Sequence, residues 1–337
     1  MASNGQAGAC ASGASAAAPT VIVRVPASTA NLGPGFDSLG MALSLYAWIG
    51  MSKAEETKLH LYGDQMTGIP TDKSNLVYQV AQRVFERAGA SVPELDISMY
   101  SDIPLTRGLG SSASAIVGAL VAANALIGGP LSTEELFQIA SCLEKHPDNV
   151  GASLFGGIIA AYWDGQEAKH IRIEPKDSLE ALVAIPNFQL STEKARHVLP
   201  SAVPMKDAIF NIGHSNLLVA ALCTGRYDLL RLAMKDTLHQ PYRSVLIPGM
   251  AEVLAGAADH GALGVALSGA GPTLITLVDG HSGEKERLER FLAETLSAHG
   301  VTASHLWLKP AQTGACVLTP GTERRTFMET VKGDVTA

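Results

Sequence analysis

Apolar and polar residues alternate along several short segments of the chain, and this period of two predicts β-strands. The first predicted strand is 20–26, which reads TVIVRVP and is rich in β-branched residues. Further strands are predicted at 39–51, 57–61, 95–100, 157–163, 170–173, 179–185, 263–268, 273–278, 304–308 and 314–318. Strands are therefore expected from residue 20 to near residue 318.

Helical patterns lie between these strands. Ser74–Asn75 opens a helix that reaches Arg87. Ser132 and Glu135 form a capping box for a second helix, which ends near Lys145. Other helices are predicted at 111–127, 207–223, 227–234 and 284–298. No internal repeat is visible, and the mixture of strands and helices indicates the α+β class.

Breaks in this pattern predict a two-domain organisation, with the boundary near 165–180. We expect a disordered tail at 1–19, domains at 20–170 and 171–320, and a loose C-terminal tail at 321–337. The first 18 residues are small and polar and lack the basic and apolar regions of a secretion signal. No apolar run reaches the roughly 18–20 residues that span a bilayer, so no membrane association is expected.

Composition and charge exclude some function classes. Hydrophobic residues make up 47% of the 337 residues and charged residues 17%, which is ample for a packed core. Lys+Arg total 25 against 32 Asp+Glu, and the net charge of −7 argues against nucleic-acid binding through a broad basic surface. The four cysteines are scattered without a C-x-x-C pair, which argues against a zinc or dithiol motif and fits a reducing cytoplasm.

The segment Pro104–Ala115, PLTRGLGSSASA, leads into the long apolar helix. Its glycines let the backbone approach a bulky anion, and the helix start offers unpaired N–H groups at the positive end of its dipole. The hydroxyls of Ser111 and Ser112 add donors or metal ligands, and Arg107 adds a positive charge. These features are typical of a phosphate-binding loop, although a serine-capped helix entry without a ligand accounts for the same local pattern.

The same glycines match the dinucleotide-binding pattern G-x-G-x-x-A through Gly108, Gly110 and Ala113. That fold needs a second strand ending in an acidic residue about 20 residues further on. The acids in range, Glu134 and Glu135, lie instead in the first turn of a predicted helix. The Walker A and protein-kinase signatures are absent from the sequence, so the usual nucleotide-binding folds are disfavoured.

Two further motifs in the first half carry polar groups. PASTANLGPGFD, at Pro26–Asp37, follows the first strand, and Asn31 and Asp37 flank its Gly-Pro-Gly turn. Asp37 can accept from an ammonium or hydroxyl group, and Asn31 can both donate and accept. A structural Asx turn is the alternative interpretation of this segment.

The segment 144–157, EKHPDNVGASLFGG, is interpreted as a connection between two helices. Glu144, His146, Asp148 and Asn149 cluster there beside a proline. A carboxylate is a hard oxygen ligand that suits magnesium. A solvated glutamate and a structural histidine remain the alternative.

The second half offers a glycine-rich turn and two arginines. SGAGPT, at Ser268–Thr273, lies between two short predicted strands, and it either presses against phosphates or forms a plain hairpin. Thr192 and Arg196 lie four residues apart at a predicted helix start, and Arg243 lies in QPYRSVLIPG. Arginine grips carboxylates bidentately, whereas surface ion pairing is the alternative role for either residue.

These motifs, in this order, resemble those of the GHMP family of small-molecule kinases over about residues 20–318. GLGSSA is the general family motif, while NLGPGFD, HPDN and STEKAR resemble the members that phosphorylate homoserine. The resemblance implies an N-terminal α+β domain, a C-terminal ferredoxin-like domain and a site between them. It also implies ATP and Mg²⁺ as cofactors, L-homoserine as substrate, a step of threonine biosynthesis, a homodimer and a cytoplasmic location.

The resemblance also implies residue roles, carried over position by position. ATP-binding positions are Asn75, Pro104, Leu105, Thr106, Arg107, Gly108, Leu109, Gly110, Ser111, Ser112, Ala113, Ser268, Gly269 and Gly271. Ser112 and Glu144 match metal-binding positions. Homoserine-binding positions are Asn31, Asp37, His146, Thr192, Arg196 and Arg243, and the catalytic set is Ser112, Glu144, Asn149 and Arg243. Asp37 is expected to bind the substrate ammonium, and Arg196 and Arg243 its carboxylate.

Asn149 occupies a place where some relatives have an aspartate base, and an amide cannot act as a base. We therefore expect direct transfer without a dedicated general base, with Asp148 as the nearest alternative. Lys145 stands where many bacterial relatives have glycine, and Thr29 where serine is common. Other acceptors of the family, such as mevalonate or a sugar, and a non-catalytic binding module remain alternative functions.

Overall fold

The computed structural model describes residues 21–318 and 326–335. Within these ranges the strands are β1 (Val21–Asn31), β2 (Gly35–Lys53), β3 (Lys58–Tyr62), β4 (Leu95–Ser101), β5 (Ile158–Trp163), β6 (Ala168–Ile173), β7 (Leu179–Pro186), β8 (Gly264–Leu267), β9 (Leu274–Asp279), β10 (Ala303–Leu308) and β11 (Cys316–Leu318). The α-helices are α1 (Leu76–Arg87), α2 (Ser111–Leu126), α3 (Thr133–Glu144), α4 (Asp148–Phe155), α5 (Thr192–His197), α6 (Met205–Thr224), α7 (Leu230–Ala233), α8 (Gln240–Arg243), α9 (Met250–Gly256), α10 (Lys285–Ala298) and α11 (Phe327–Val335).

Two sheets organise the described residues. The first has the strand order β11-β1-β2-β4-β3, with β5 paired to β2 and β6 paired to β5. The second has the order β10-β7-β9-β8, and every pair in it is antiparallel. Along the chain the second unit runs strand, helices, strand, strand, helix, strand, which is the ferredoxin-like arrangement. The predicted α+β class with a ferredoxin-like second domain is confirmed.

The apolar helix α2 packs on the first sheet and so holds the glycine-rich segment that precedes it. Ile116 and Leu120 are buried in one core with Val25 and Ile49 of the sheet. A Cβ atom at Gly118 would lie only 2.6 Å from the Ile49 side chain, so helix and sheet approach closely at this point. Buried residues occur on all sides of α2, so the helix is apolar all round and has no polar face towards solvent.

Several predicted segments differ in extent from the observed ones. Strand β1 continues past Pro26 to Asn31, because the proline lies at a register shift where no ladder hydrogen bond is required of it. The segment interpreted as a connection at 144–157 contains the helix α4. The predicted helix at 227–234 is a 3₁₀ turn followed by the short α7. Among the described helices, none has the length and apolar character that crossing a bilayer requires.

The expected domain limits also shift. The limit at 170 falls inside β6, which pairs with β5 of the first sheet. Near the end of the second domain the chain returns to the first sheet, where β11 pairs with β1. Both differences arise from long-range strand pairing, which a local sequence pattern does not record. The tail expected at 1–19 lies outside the described residues.

The expectation of a loose tail over 321–337 is wrong for the part that the structure describes, 326–335. The helix α11 packs against the first sheet, where Phe327 stacks on Tyr62 with ring centroids 5.6 Å apart. The Asp334 carboxylate accepts from Trp48 Nε1 at 2.8 Å and from Arg24 Nη1 at 3.0 Å. These partners are distant in sequence, so the segment's polar composition alone is misleading.

Candidate active site

One cleft between the two sheets brings together residues from every predicted motif. The predicted residues that line it are Asn31, Asp37, Thr106, Gly108, Gly110, Ser111, Ser112, Ala113, Glu144, His146, Asn149, Thr192, Arg196, Arg243, Gly269 and Gly271. Four other residues complete the lining: Ala30, Asp148, Leu190 and Ala270. Ala30, Leu190 and Ala270 are apolar and offer no chemical signal in the sequence, so sequence reasoning missed them.

The glycine-rich segment before α2 forms a loop whose backbone packs closely against neighbouring segments and ends at the N-terminus of the helix. Gly108 and Gly110 adopt left-handed backbone angles, with φ of 79° and 71°. A Cβ atom at Gly108 would lie 2.3 Å from the Ser268 carbonyl oxygen, and one at Gly110 would lie 2.1 Å from Ser28 Oγ. No side chain caps the N-terminus of α2, so its first N–H groups remain available to an anion. This is the geometry expected of a phosphate-binding loop.

The glycine-rich turn at Ser268–Thr273 contacts this loop from the second domain. Ser268 Oγ donates to the carbonyl oxygen of Gly108, and Gly269 N donates to the carbonyl oxygen of Ala30 at 3.1 Å. The turn therefore holds the phosphate loop against strand β1. Gly269 and Gly271 line the cleft, whereas the Ser268 hydroxyl is buried and serves this contact.

Two oxygen ligands lie side by side at the edge of the loop. Ser112 Oγ donates to Glu144 Oε1 at 2.6 Å, although the two residues are 32 positions apart. Among the described residues no cluster of three or more His, Cys, Asp or Glu side chains is arranged to hold a metal ion. A hydroxyl and one carboxylate suit Mg²⁺, because this ion usually keeps several waters and binds substrate phosphates besides one or two carboxylates.

His146 lies next to this pair and is held by Asp148. His146 Nδ1 is 2.7 Å from Asp148 Oδ1, and Nε2 is 3.6 Å from Glu144 Oε2. Burial by itself lowers the pKa of His146, but the charge and hydrogen bond of Asp148, with help from Glu144, raise it to about 9. The imidazole is therefore protonated at neutral pH and contributes a positive charge to the cleft.

Asp148 and Asn149 begin helix α4, and their side chains already have partners. Asp148 Oδ1 accepts from the backbone N of Asn149 at 2.7 Å, besides the contact with His146. Asn149 Oδ1 accepts from Ser28 Oγ at 3.0 Å. With its oxygen so engaged, the Asn149 amide can offer an N–H donor to a molecule in the cleft.

Asp37 and Arg196 form a bidentate ion pair across the two domains. Arg196 Nη2 lies 2.8 Å from Asp37 Oδ1, and Nη1 lies 3.0 Å from Oδ2. Both groups are partly exposed, with side-chain exposures of 40% for Arg196 and 34% for Asp37. Their charges are thus balanced in the free cleft yet accessible to a ligand that carries both signs.

Arg243 is buried at the back of the cleft. Its guanidinium donates to the carbonyl oxygens of Ala195 at 3.1 Å and Gly269 at 3.0 Å. Burial, with Arg196 acting in the same direction, lowers the pKa of Arg243 to about 10. The group remains cationic at neutral pH, so it attracts an anion into the cleft. Asn31 Nδ2 shares the same acceptor, the Gly269 carbonyl oxygen, at 2.9 Å.

Some residues predicted to bind ATP do not line the cleft: Asn75, Pro104, Leu105, Arg107, Leu109 and Ser268. Asn75 is the N-cap of α1, where its side chain accepts from Val77 N and donates to the carbonyl oxygen of Pro70. Arg107 points away and donates to the carbonyl oxygen of Asn187 at 3.2 Å. Leu109 is fully buried, which suits an apolar residue beside a close-packed turn.

Lys145 adopts a left-handed conformation at the end of α3, with φ of 64°. A side chain at this conformation is strained by roughly 1–2 kcal/mol, whereas glycine is not. Lys145→Gly is therefore expected to raise the free energy of unfolding by about 1 kcal/mol, measured by urea denaturation. Lys145→Ala is the control, because it removes the charge and keeps the strain. If both variants raise the free energy of unfolding equally, the gain comes from removal of the charge and not from relief of strain.

This chain is similar to known proteins in both sequence and structure. Residues 75–157 match the family described as GHMP kinases N terminal domain, and 218–301 match GHMP kinases C terminal. The chain is 44% identical over 296 residues to a homoserine kinase of Carboxydothermus hydrogenoformans, covering 88% of this chain and 96% of that protein. It is also 44% identical to a homoserine kinase of Desulfitobacterium hafniense, over 88% of this chain and 100% of that protein.

Solved structures agree with these matches. A homoserine kinase from Cytophaga hutchinsonii superposes with a TM-score of 0.80 at 27% identity, over 89% of this chain and 97% of that one. Galactokinase from Lactococcus lactis shares the fold alone, with a TM-score of 0.67 at 15% identity over 89% of this chain and 95% of that one. From the extent and identity of these matches, the chain belongs to the homoserine kinase branch of the GHMP kinase family.

Proposed function

We propose that this protein transfers the γ-phosphoryl group of ATP to the side-chain hydroxyl of L-homoserine, forming O-phospho-L-homoserine and ADP in threonine biosynthesis. One observation carries the proposal: the cleft places a glycine-rich loop at an uncapped helix N-terminus beside a carboxylate and two guanidinium groups. A zwitterionic amino acid needs both signs of charge for recognition, whereas mevalonate or a neutral sugar does not. The family membership supports the same activity.

The phosphate loop binds the nucleotide through residues 106–113, with Gly269 and Gly271 closing over it. The N–H groups of α2 and its dipole favour the negatively charged phosphates. Ser112 and Glu144 are proposed as the protein ligands of Mg²⁺, and the ion, when bound, neutralises charge on the phosphate oxygens. The remaining predicted ATP contacts, including Asn75, stay predictions that a nucleotide complex would test.

The amino-acid site is proposed to recognise homoserine by exchange of ion-pair partners. Its ammonium group pairs with the Asp37 carboxylate, and its carboxylate pairs with Arg196, behind which Arg243 lies. The substrate thus separates the Asp37–Arg196 pair but restores a partner to each charge. Asn31, His146 and Thr192 complete the contacts. Anchoring both poles of the substrate leaves its hydroxyl group directed at the phosphate loop.

Transfer is proposed to proceed without a dedicated general base. Phosphoryl transfer depends mainly on positioning and on stabilisation of charge, and residues of the cleft provide both. Asn149 donates a hydrogen bond but accepts no proton as a base, and the Asp148 carboxylate is engaged by His146 and by the Asn149 backbone. The hydroxyl proton passes to a phosphate oxygen during transfer.

Asp148→Asn tests this mechanism directly. We expect the variant to keep measurable turnover, with kcat reduced by no more than about tenfold, since a lost general base typically costs 10²–10⁴-fold. Steady-state kcat and homoserine binding by calorimetry are the measurements. Loss of all turnover with intact folding and substrate binding would mean that Asp148 is a base.

A coupled assay of ADP release over homoserine, serine, threonine and mevalonate tests the proposed function. Homoserine is expected to give the highest kcat/KM. Preference for mevalonate would favour another kinase of the family, and tight binding without turnover would favour a non-catalytic binding module.

We also propose that the protein is a homodimer, which light scattering would test. A cytoplasmic location is proposed as well, and it fits the free thiols of Cys142, Cys223 and Cys316.

A further inference from the structure

His239 lies between the segment that carries Asp37 and the helix that carries Arg243, and its side chain is completely buried. Nε2 is 2.8 Å from the carbonyl oxygen of Gly33, and the ring stacks on Phe36 with centroids 5.1 Å apart. A carbonyl oxygen only accepts hydrogen bonds, so Nε2 carries the proton. The imidazole thereby fixes the turn between Asn31 and Asp37.

The other nitrogen of the ring faces Arg243. Nδ1 lies 3.3 Å from Arg243 Nη1, and a guanidinium only donates, so Nδ1 accepts. Burial lowers the pKa of His239 by more than the nearby Asp236 carboxylate raises it, and the adjacent Arg243 charge lowers it further. The ring is therefore neutral, with one donor and one acceptor, and each of them is used.

Asp236 fixes the backbone from which His239 projects. Its carboxylate is fully buried and accepts from the backbone N atoms of Leu238, His239 and Gln240 at 2.7–3.0 Å, and from Asn211 Nδ2 at 2.8 Å. These bonds form a preorganised cap at the start of α8. The imidazole position is thus determined by a rigid shell rather than by the cleft.

We propose that His239 is a positioning residue of the amino-acid site, which holds the Arg243 guanidinium at a fixed distance from the turn that bears Asp37. The inference rests on the proposed function, since it assumes that these two charges bind homoserine. His239 does not line the cleft, so it acts on the substrate only through Arg243 and the Gly33 carbonyl. The phosphate loop of residues 106–113 makes no bond to His239. Arg243 also donates to the carbonyl oxygen of Gly269, so we expect a change in the ATP KM that is much smaller than the change in the homoserine KM.

His239→Phe keeps the ring and its stacking on Phe36 but removes both hydrogen bonds. We expect the homoserine KM to rise about tenfold or more, while the ATP KM stays within about twofold. His239→Asn restores an acceptor at the position of Nδ1, so its homoserine KM is expected to lie within about threefold of the unmodified enzyme. If the Asn variant is rescued and the Phe variant is not, the effect of His239 comes from the hydrogen bond that orients Arg243 and not from packing of the ring.

His260→Phe is the matched control. That ring also stacks on an aromatic side chain, Phe291, and bonds a backbone carbonyl oxygen, that of Gly256 at 2.9 Å, but it lies outside the cleft. Its homoserine KM should be unchanged. If His239→Phe does not fold by circular dichroism, His239→Gln replaces it, because an amide placed to donate to Gly33 leaves Arg243 without an acceptor.

An unchanged homoserine KM in the folded His239→Phe or His239→Gln variant would overturn the inference, as would an equal rise of both KM values. An Asn variant as impaired as the Phe variant would overturn it too. These results are distinct from failure of the proposed function, which would appear as absent homoserine turnover in the unmodified enzyme.

Discussion

Glu144→Ala is expected to lower kcat by about 10²–10³-fold, the range typical of a lost electrostatic contact to developing charge. The carboxylate accepts from Ser112 Oγ at 2.6 Å beside the phosphate loop, where it is proposed to hold Mg²⁺. Its removal should also raise the Mg²⁺ concentration required for half-maximal turnover. Steady-state rates measured over a magnesium titration report both effects.

Two controls separate this role from a structural one. Glu144→Gln keeps an acceptor for Ser112 and removes the charge, so its magnesium requirement should rise nearly as much. Glu134→Ala removes a half-exposed glutamate from the opposite end of the same helix and should leave turnover unchanged. An unaltered magnesium dependence in Glu144→Ala would exclude Glu144 as a metal ligand.

Arg196→Ala is expected to weaken homoserine binding by about 2 kcal/mol, or roughly 30-fold in Kd, towards the low end for a charge pair at a binding site. The low end applies because the Arg196 side chain is 40% exposed in the free cleft. The ATP affinity should be unchanged, since the guanidinium pairs with Asp37 and makes no bond to the phosphate loop. Calorimetric titration with each ligand measures the difference.

A second bidentate pair in the chain serves as the control. Arg226 and Asp228 also form a bidentate pair on the surface, in which Nε lies 2.9 Å from Oδ1 and Nη2 lies 2.8 Å from Oδ2. Arg226→Ala should therefore leave the homoserine Kd unchanged.

Arg196→Ala leaves the Asp37 carboxylate without its partner, which should lower the folding stability. Adding Asp37→Asn to that variant removes the unpaired charge, so it should restore part of the stability without restoring homoserine affinity. A homoserine Kd unaffected by Arg196→Ala would remove this residue from the site.

Patterns confined to neighbouring residues were predictable from the sequence. The capping box of Ser132 and Glu135 is present at the start of α3, with both reciprocal bonds formed. The apolar run before Gly128 forms α2 with its predicted start at Ser111. Glycines at 108 and 110 adopt the conformations that a phosphate loop requires. In each case the cause is local, since capping, helical period and backbone freedom act over a few residues.

Residue type and composition do not determine the partners of a side chain. Asn75 caps α1, and its place near the nucleotide, which the family resemblance implies, stays a prediction. The polar C-terminal segment was expected to be loose, yet α11 binds Trp48 through Asp334, across 286 positions of sequence. Residue type and composition record neither the burial of a group nor the partner that satisfies it.

The sequence by itself determined the α+β class, the apolar helix behind the glycine-rich loop and the set of chemical groups available to a site, because all of these follow from local order. Only the tertiary structure decided that Asp37 pairs with Arg196, 159 positions away, and that Arg243 is buried against His239. These contacts depend on how the elements of the two sheets pack against each other. Charge balance in the cleft is therefore a property of the folded chain, since attraction between such groups becomes strong only at short distance and away from water.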